Sequence, residues 1–179
     1  MSLTLISTTT VGAGGVSSIT FSSIPATYTD LVLIASAKFS SAGYDQDQLS
    51  LRFNGDTATN YSWGQIANLV GTIGKAYNGT AAKIEAAYVP GGNIAANYMG
   101  TVKIEIPYYA SANAKTVTAE WAWSRNASTA SNGVNGGGWT STSAINSITL
   151  LPFGSTTIAQ YSVFSLYGRT KGSGGATVS

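Results

Sequence analysis

The sequence predicts an all-β domain of about 8–10 antiparallel strands, folded as a sandwich or barrel. Three observations predict it. Runs that alternate apolar and polar residues recur along the chain, and Gly, Asn, Ser and Pro bound them. No stretch carries a helical period. The hydrophobic fraction of 44%, with 11% aromatics, is too apolar for a disordered chain. At 179 residues one domain with one core is the default, and a chain this long buries roughly 70% of its unfolded surface without staples.

The first expected strand is Leu3 to Ser7, and Val11-Gly-Ala-Gly-Gly15 turns the chain into a second, Val16 to Phe21. Ile24-Pro25-Ala-Thr-Tyr28 then places a proline where no ladder bond is needed. Asp30 to Phe39 follows, with Leu31, Leu33, Ala35, Ala37 and Phe39 on one face. Its other face begins with Val32 and Ile34, so this strand is central. Leu49, Leu51 and Phe53 alternate with Ser50 and Arg52, and Asn54-Gly55 reads as a hairpin turn because both residues tolerate positive φ. Lys83 to Val89 is a strand. Val102, Ile104 and Ile106 alternate with Lys103 and Glu105, as Val117, Ala119, Trp121 and Trp123 do with Thr118, Glu120 and Ser124. The two tryptophans therefore belong to the core. Ile145 to Leu151 and Tyr161 to Tyr167 complete the set.

Two segments read as long loops. Residues 57–81 are Gly-spotted, and a connection of that length in a compact domain is usually functional. Residues 126–139 are polar, contain Asn135-Gly-Gly-Gly138, and end on a tryptophan expected to be exposed. Residues 1–171 form the expected single domain, and 172–179 a flexible Gly/Ser-rich tail.

Composition removes most chemistry. There is no Cys and no His, so disulfides, zinc and haem sites, thiol nucleophiles and every imidazole-dependent triad are excluded. Charged residues make up 9%, against roughly 25% in a typical domain. The nine Lys and Arg are spread singly from Lys38 to Lys171, which argues against nucleic acid despite a net charge of +2. Met1-Ser-Leu-Thr-Leu-Ile6 has no basic region ahead of an apolar run, so no signal peptide is expected. No apolar run approaches the roughly 20 residues of a membrane-spanning helix. Folding in a reducing cytoplasm is the expectation.

Seven carboxylates exist. Glu85, Glu105 and Glu120 alternate with apolar residues and are expected in solvent, although a glycosidase would need two carboxylates about 5–9.5 Å apart and neighbouring strands can supply them. Asp45-Gln-Asp47 is part of a calcium loop but lacks its closing residues, so it reads as a polar turn. Asn60-Tyr-Ser62, Asn78-Gly-Thr80 and Asn126-Ala-Ser128 match the glycosylation pattern, with no secretion signal to make use of it. No catalytic residue, metal site or cofactor is expected. The candidates for contact with a partner are aromatics placed in loops beside amides: Tyr61, Trp63, Tyr77, Tyr108, Tyr109 and Trp139. Such residues stack on sugar rings or anchor protein interfaces, and the interface is the preferred reading.

Ser22-Ser-Ile-Pro-Ala-Thr-Tyr-Thr-Asp-Leu-Val-Leu-Ile34 and Leu51-Arg-Phe-Asn-Gly-Asp-Thr-Ala-Thr-Asn-Tyr-Ser62 carry a resemblance. So do Ile104-Glu-Ile-Pro-Tyr-Tyr-Ala110 leading into Lys115-Thr116, Trp139 before Ser143-Ala-Ile145, and Ser165-Leu-Tyr-Gly168. Together these segments resemble a group of small β-rich virion proteins of tailed bacteriophages, many of them from aquatic and cyanobacterial hosts. The resemblance covers most of residues 20–168 and stops before the tail that begins at Arg169. It implies a jelly-roll-like sandwich with long loops, location in the virion, and assembly around threefold positions as a homotrimer. The expected function is that of a capsid decoration or cement protein, with the phage major capsid protein or other virion proteins as partners. The alternative is a tail-fibre or spike module that recognises host surface glycans. No nucleic acid or membrane partner is expected.

Low charge agrees with that expectation. Ser and Thr on strand surfaces are desolvated at far lower cost than Lys or Glu, which suits a subunit that buries its surface in an assembly.

Overall fold

The computed structural model describes residues 2–126 and 129–170. The expected tail at 172–179 and the motif residues Ala127 and Ser128 lie outside the described residues. The described chain is an all-β sandwich of two antiparallel sheets. One has eight strands in the order β1-β12-β3-β8-β9-β10-β5-β6, the other four in the order β2-β11-β4-β7. The large sheet comprises β1 (Ser2–Thr10), β3 (Asp30–Ala37), β5 (Tyr61–Leu69), β6 (Thr72–Ala81), β8 (Gly100–Pro107), β9 (Lys115–Asn126), β10 (Thr129–Trp139) and β12 (Val163–Thr170). The small sheet comprises β2 (Ile19–Phe21), β4 (Gln46–Phe53), β7 (Ile84–Pro90) and β11 (Ile148–Pro152). Sheets of eight and four strands, rather than two of four, leave the jelly-roll part of the expectation unsupported.

Alternation explains the layers. Leu31, Leu33, Ala35 and Ala37 of β3, with Val102, Ile104 and Ile106 of β8, are buried on the inner face of the large sheet. Leu49, Leu51 and Phe53 of β4, with Ile148 and Leu150 of β11, oppose them from the small sheet, and all belong to one hydrophobic core. Trp121 and Trp123 are buried in it. As its two apolar faces suggested, β3 is central, between β12 and β8.

Three corrections follow, two of them in segments read as loops and one at an expected hairpin turn. Residues 61–81 are a hairpin, β5 and β6, closed by Val70 and Gly71 at φ of 54° and 86°. Two successive positive φ values match the right-handed twist of the flanking strands. Residues 129–139 are β10, paired along its length with β9 and β5. Asn54 and Gly55 do adopt positive φ, 52° and 68°, and Asp56 N–H donates to Phe53 O at 2.9 Å. That turn does not close a hairpin, however, because β4 and β5 belong to different sheets. It carries the chain from one layer to the other. The three added strands bring the described total to twelve.

Gly-rich sequence forms β10 because its neighbours supply the bulk that the glycines lack. A Cβ on Gly133 would lie 2.5 Å from the Trp121 ring, and one on Gly137 would lie 2.6 Å from Ile84. The glycines let large side chains of β9 and β7 cross the strand.

Candidate functional site

The six aromatic candidates separate into core and surface. Tyr61 and Trp139 face each other across the β5–β10 ladder, with rings stacked at 6.3 Å, and Phe53 of the small sheet packs 5.5 Å from Trp139. Trp139, expected to be exposed, is 3% accessible. The corner is closed by Asp56. Its Oδ2 accepts from Trp139 Nε1 at 2.8 Å and from Asn60 Nδ2 at 2.9 Å, and its Oδ1 accepts from Ala58 N at 2.9 Å. Those donors, led by the Asn60 amide and the Trp139 indole, hold the Asp56 carboxyl below the usual carboxylate range. Tyr61 OH donates to the carbonyls of Phe53 and Asp56, and burial pushes its phenol up.

Tyr109 is likewise a core residue; its hydroxyl donates to Pro25 O and accepts from Tyr28 N at 3.4 Å. It pins the segment before β3. Trp63 lies half-buried against the core on the inner face of β5. Tyr108 is exposed in the turn after β8 with φ of 48°, and its N–H donates to Asp30 Oδ1. Tyr77 alone of the six stands out on a strand surface, 78% accessible. The aromatics therefore do not converge on one site. The interface reading of Tyr61, Tyr109 and Trp139 is corrected by burial: each ring is consumed inside the fold.

Charge is distributed in the same structural way. Glu85, expected in solvent, is 2% accessible; Ser50 Oγ donates to its Oε2 at 2.5 Å and Lys83 Nζ lies 3.7 Å from Oε1. Burial raises its pKa, a shift that Ser50 and Lys83 offset in part. Glu105 is held by Lys103 at 2.9 Å and Arg169 at 3.4 Å, and Arg169 also pairs with Asp30 at 2.9 Å. Glu120 is exposed, as expected. Asp45 pairs with Arg125 at 2.6 Å, and Asp47 lies in β4 rather than in a polar turn. Two buried lysines tie loops by their ammonium groups: Lys38 donates to the carbonyls of Gly91, Ile94 and Ala95, and Lys115 to those of Ser111, Asn113 and Thr142. Burial lowers the pKa of both. Among the described residues no group of His, Cys, Asp or Glu could hold a metal ion.

An uncovered surface lies at the overhang at one end of the large sheet. Every residue of β6 from Thr72 to Thr80 is exposed, so neither face of this strand is covered by the small sheet. Among the described residues it is also the last strand of its sheet, and one edge of its backbone has no ladder partner there. Register places Lys75 opposite Ile66 and Ile66 opposite Val134, which puts Ile66 and Val134 on the outer face with Ile73, Lys75 and Tyr77. Ile73 is 79% accessible. A shallow outer groove runs over Gly64 and Gly136 between these side chains. Reading 57–81 as a loop hid the alternation of Ile73, Lys75 and Tyr77, which was the available signal.

The strand at the opposite end, β1, is also largely exposed and presents Leu3 and Leu5. Comparison with family models, with curated proteins and with solved structures finds no match.

Proposed function

We propose that the chain is a non-enzymatic structural subunit that works by assembling, as a decoration or cement protein on the outside of a phage head. The observation that carries this reading is the uncovered β6 edge: ten residues long, with Lys75 as its one charged side chain and with Ile73 and Tyr77 presented outward. Exposed edge strands are normally blunted by charge, proline, bulges or shortness, and β6 uses little of this protection. Such an edge suits a neighbour that adds a strand through main-chain hydrogen bonds. A second copy of the chain, through threefold assembly, and the major capsid protein are the partners in this reading, and the virion is the place. The low charge of the sequence supports it, because a surface of hydroxyls and amides is cheap to bury.

The test pairs light scattering with a capsid sedimentation assay, using the wild-type chain and an Ile73→Glu/Tyr77→Glu variant. The wild type should be an oligomer at about 100 µM and should cosediment with undecorated capsids. The variant should be monomeric and weaken cosedimentation at least about tenfold, the equivalent of 1.4 kcal/mol. A monomeric wild type that leaves capsids bare and binds cells instead would overturn the proposal.

A further inference from the structure

The geometry points to a binding site for a neutral saccharide at the end of the small sheet, lined by none of the six aromatics that the sequence offers as contacts. A cavity of about 420 Å³ opens there, within the roughly 300–1,000 Å³ range of small-molecule sites. Its aromatic walls are Tyr44, 67% accessible, Phe153, also exposed, and Tyr88. Between them lie Gln46, Asp47 and Gln48 at the start of β4. Sugar recognition needs this combination, since apolar ring faces must meet C–H surfaces while planar amides and carboxylates take hydroxyl protons.

The walls are fixed in advance. Tyr88 packs edge-on against Trp121 at 5.4 Å, and its hydroxyl accepts from Gln65 Nε2 at 3.4 Å. Phe153 N–H donates to Gln48 O at 2.8 Å, and Lys83 Nζ lies 4.6 Å from the Phe153 ring centre. Thr156 Oγ1 donates to Asp47 Oδ2 at 3.2 Å, which ties the loop after β11 to β4. Lys38, through its three carbonyl acceptors at 91, 94 and 95, holds the loop that receives Tyr44: Asn93 N–H donates to Tyr44 O at 3.1 Å. A prearranged site loses little freedom on binding, which weak sugar ligands require.

A second observation points to a ligand. Ser41 Oγ and Gln46 Oε1, both on residues of the cavity wall, are buried and have no hydrogen-bond partner among the described residues. Ser41 is 2% accessible. Buried polar atoms are nearly always paired, so these two orphans gain hydrogen bonds if small rotations of Ser41 and Gln46 turn them toward a hydroxyl-bearing ligand in the cavity. Among the described wall residues Asp47 is the one charged group, which disfavours phosphates and acidic sugars and leaves a neutral polyol. Such a site is independent of whether the chain assembles through β6.

The test uses the full chain and saturation-transfer NMR with the methyl glycosides of glucose, galactose, mannose and N-acetylglucosamine, at about 10 mM to suit millimolar affinities. Adenosine serves as a stacking control. At least one glycoside should receive saturation on its ring protons. Tyr44→Ala and Gln46→Leu should each lower that affinity at least about tenfold, whereas Tyr77→Ala on β6 should leave it unchanged. Tyr44 is largely exposed, so its variant keeps the wild-type melting temperature and remains a fair test if Gln46→Leu unfolds. Transfer to none of the glycosides, transfer only to adenosine, or transfer that survives Tyr44→Ala would overturn the proposal.

Discussion

The two ends of the β5 region use the same residue types to opposite effect. At its start, Tyr61 meets Trp139 and Phe53 beneath the small sheet, and all three rings are buried. On the paired strand β6, Tyr77 and Ile73 take the outer face, away from the small sheet, and are exposed. Which face of the sheet a ring takes, and whether a layer covers that face, decides which rings are core and which are surface. A Tyr beside Gly and Asn in sequence says nothing about the layer above it.

Replacing Trp139 with Ala should separate the two ends most sharply. It removes a buried ring from between two others and leaves Asp56 without its indole donor, so a loss of about 3–5 kcal/mol is expected. Tyr77→Ala should change stability by no more than about 0.5 kcal/mol, because its ring is outside the core. Urea unfolding with matched m-values checks both. Equal losses in the two variants would mean that β6 is as integral to the fold as the aromatic corner.

A smaller effect should distinguish the two faces of β10. Gly137 turns inward, where an added Cβ would press on Ile84, and Ala there should cost about 1–3 kcal/mol. Gly136 turns outward, with its nearest atom 4.0 Å from such a Cβ, and Ala there should be neutral or stabilise by up to about 1 kcal/mol. Thermal melts of the two single variants read the difference directly. A Gly136→Ala variant as damaged as Gly137→Ala would contradict the assignment of faces.

That pair of glycines also explains what could be read in the sequence and what could not. β3, β8 and β9 were legible because each carries its own bulk on the dry face: Leu31 to Ala37, Val102 to Ile106, Val117 to Trp123. β10 was not, because its inner positions 133 and 137 are filled by Trp121 and Ile84, side chains that belong to other strands. Glu85 was misplaced for a related reason. Alternation with apolar residues predicts solvent for it, but it is 2% accessible, with Ser50 Oγ and Lys83 Nζ against its carboxylate. Of the aromatic candidates, only Tyr77 and Tyr108 remain on the exposed surface, and the cavity beside Tyr44 brings together segments too far apart in the chain for spacing to reveal.

The smallest expected effect lies in the acid response of the aromatic corner. The hydrogen bonds from Asn60, Trp139 and Ala58 depress the Asp56 pKa in the folded chain below its unfolded value of about 3.9. A depressed acid contributes stability that is present above the unfolded pKa and lost as pH falls through the folded one. Glu85 acts with opposite sign: burial raises its folded pKa, so its contribution is present below about pH 4.3 and is lost as pH rises through the folded value. The total pH profile therefore mixes two trends, and only a difference between variants separates them. Asp56→Asn should cost no more than about 1 kcal/mol at pH 7, since solvent screens a carboxylate at the surface. That cost should fade as pH falls through the depressed pKa of Asp56, where the wild-type carboxylate also becomes neutral. A cost that stays constant from neutral to acid pH would show that Asp56 holds the corner by shape and neutral hydrogen bonding, with no part played by its charge.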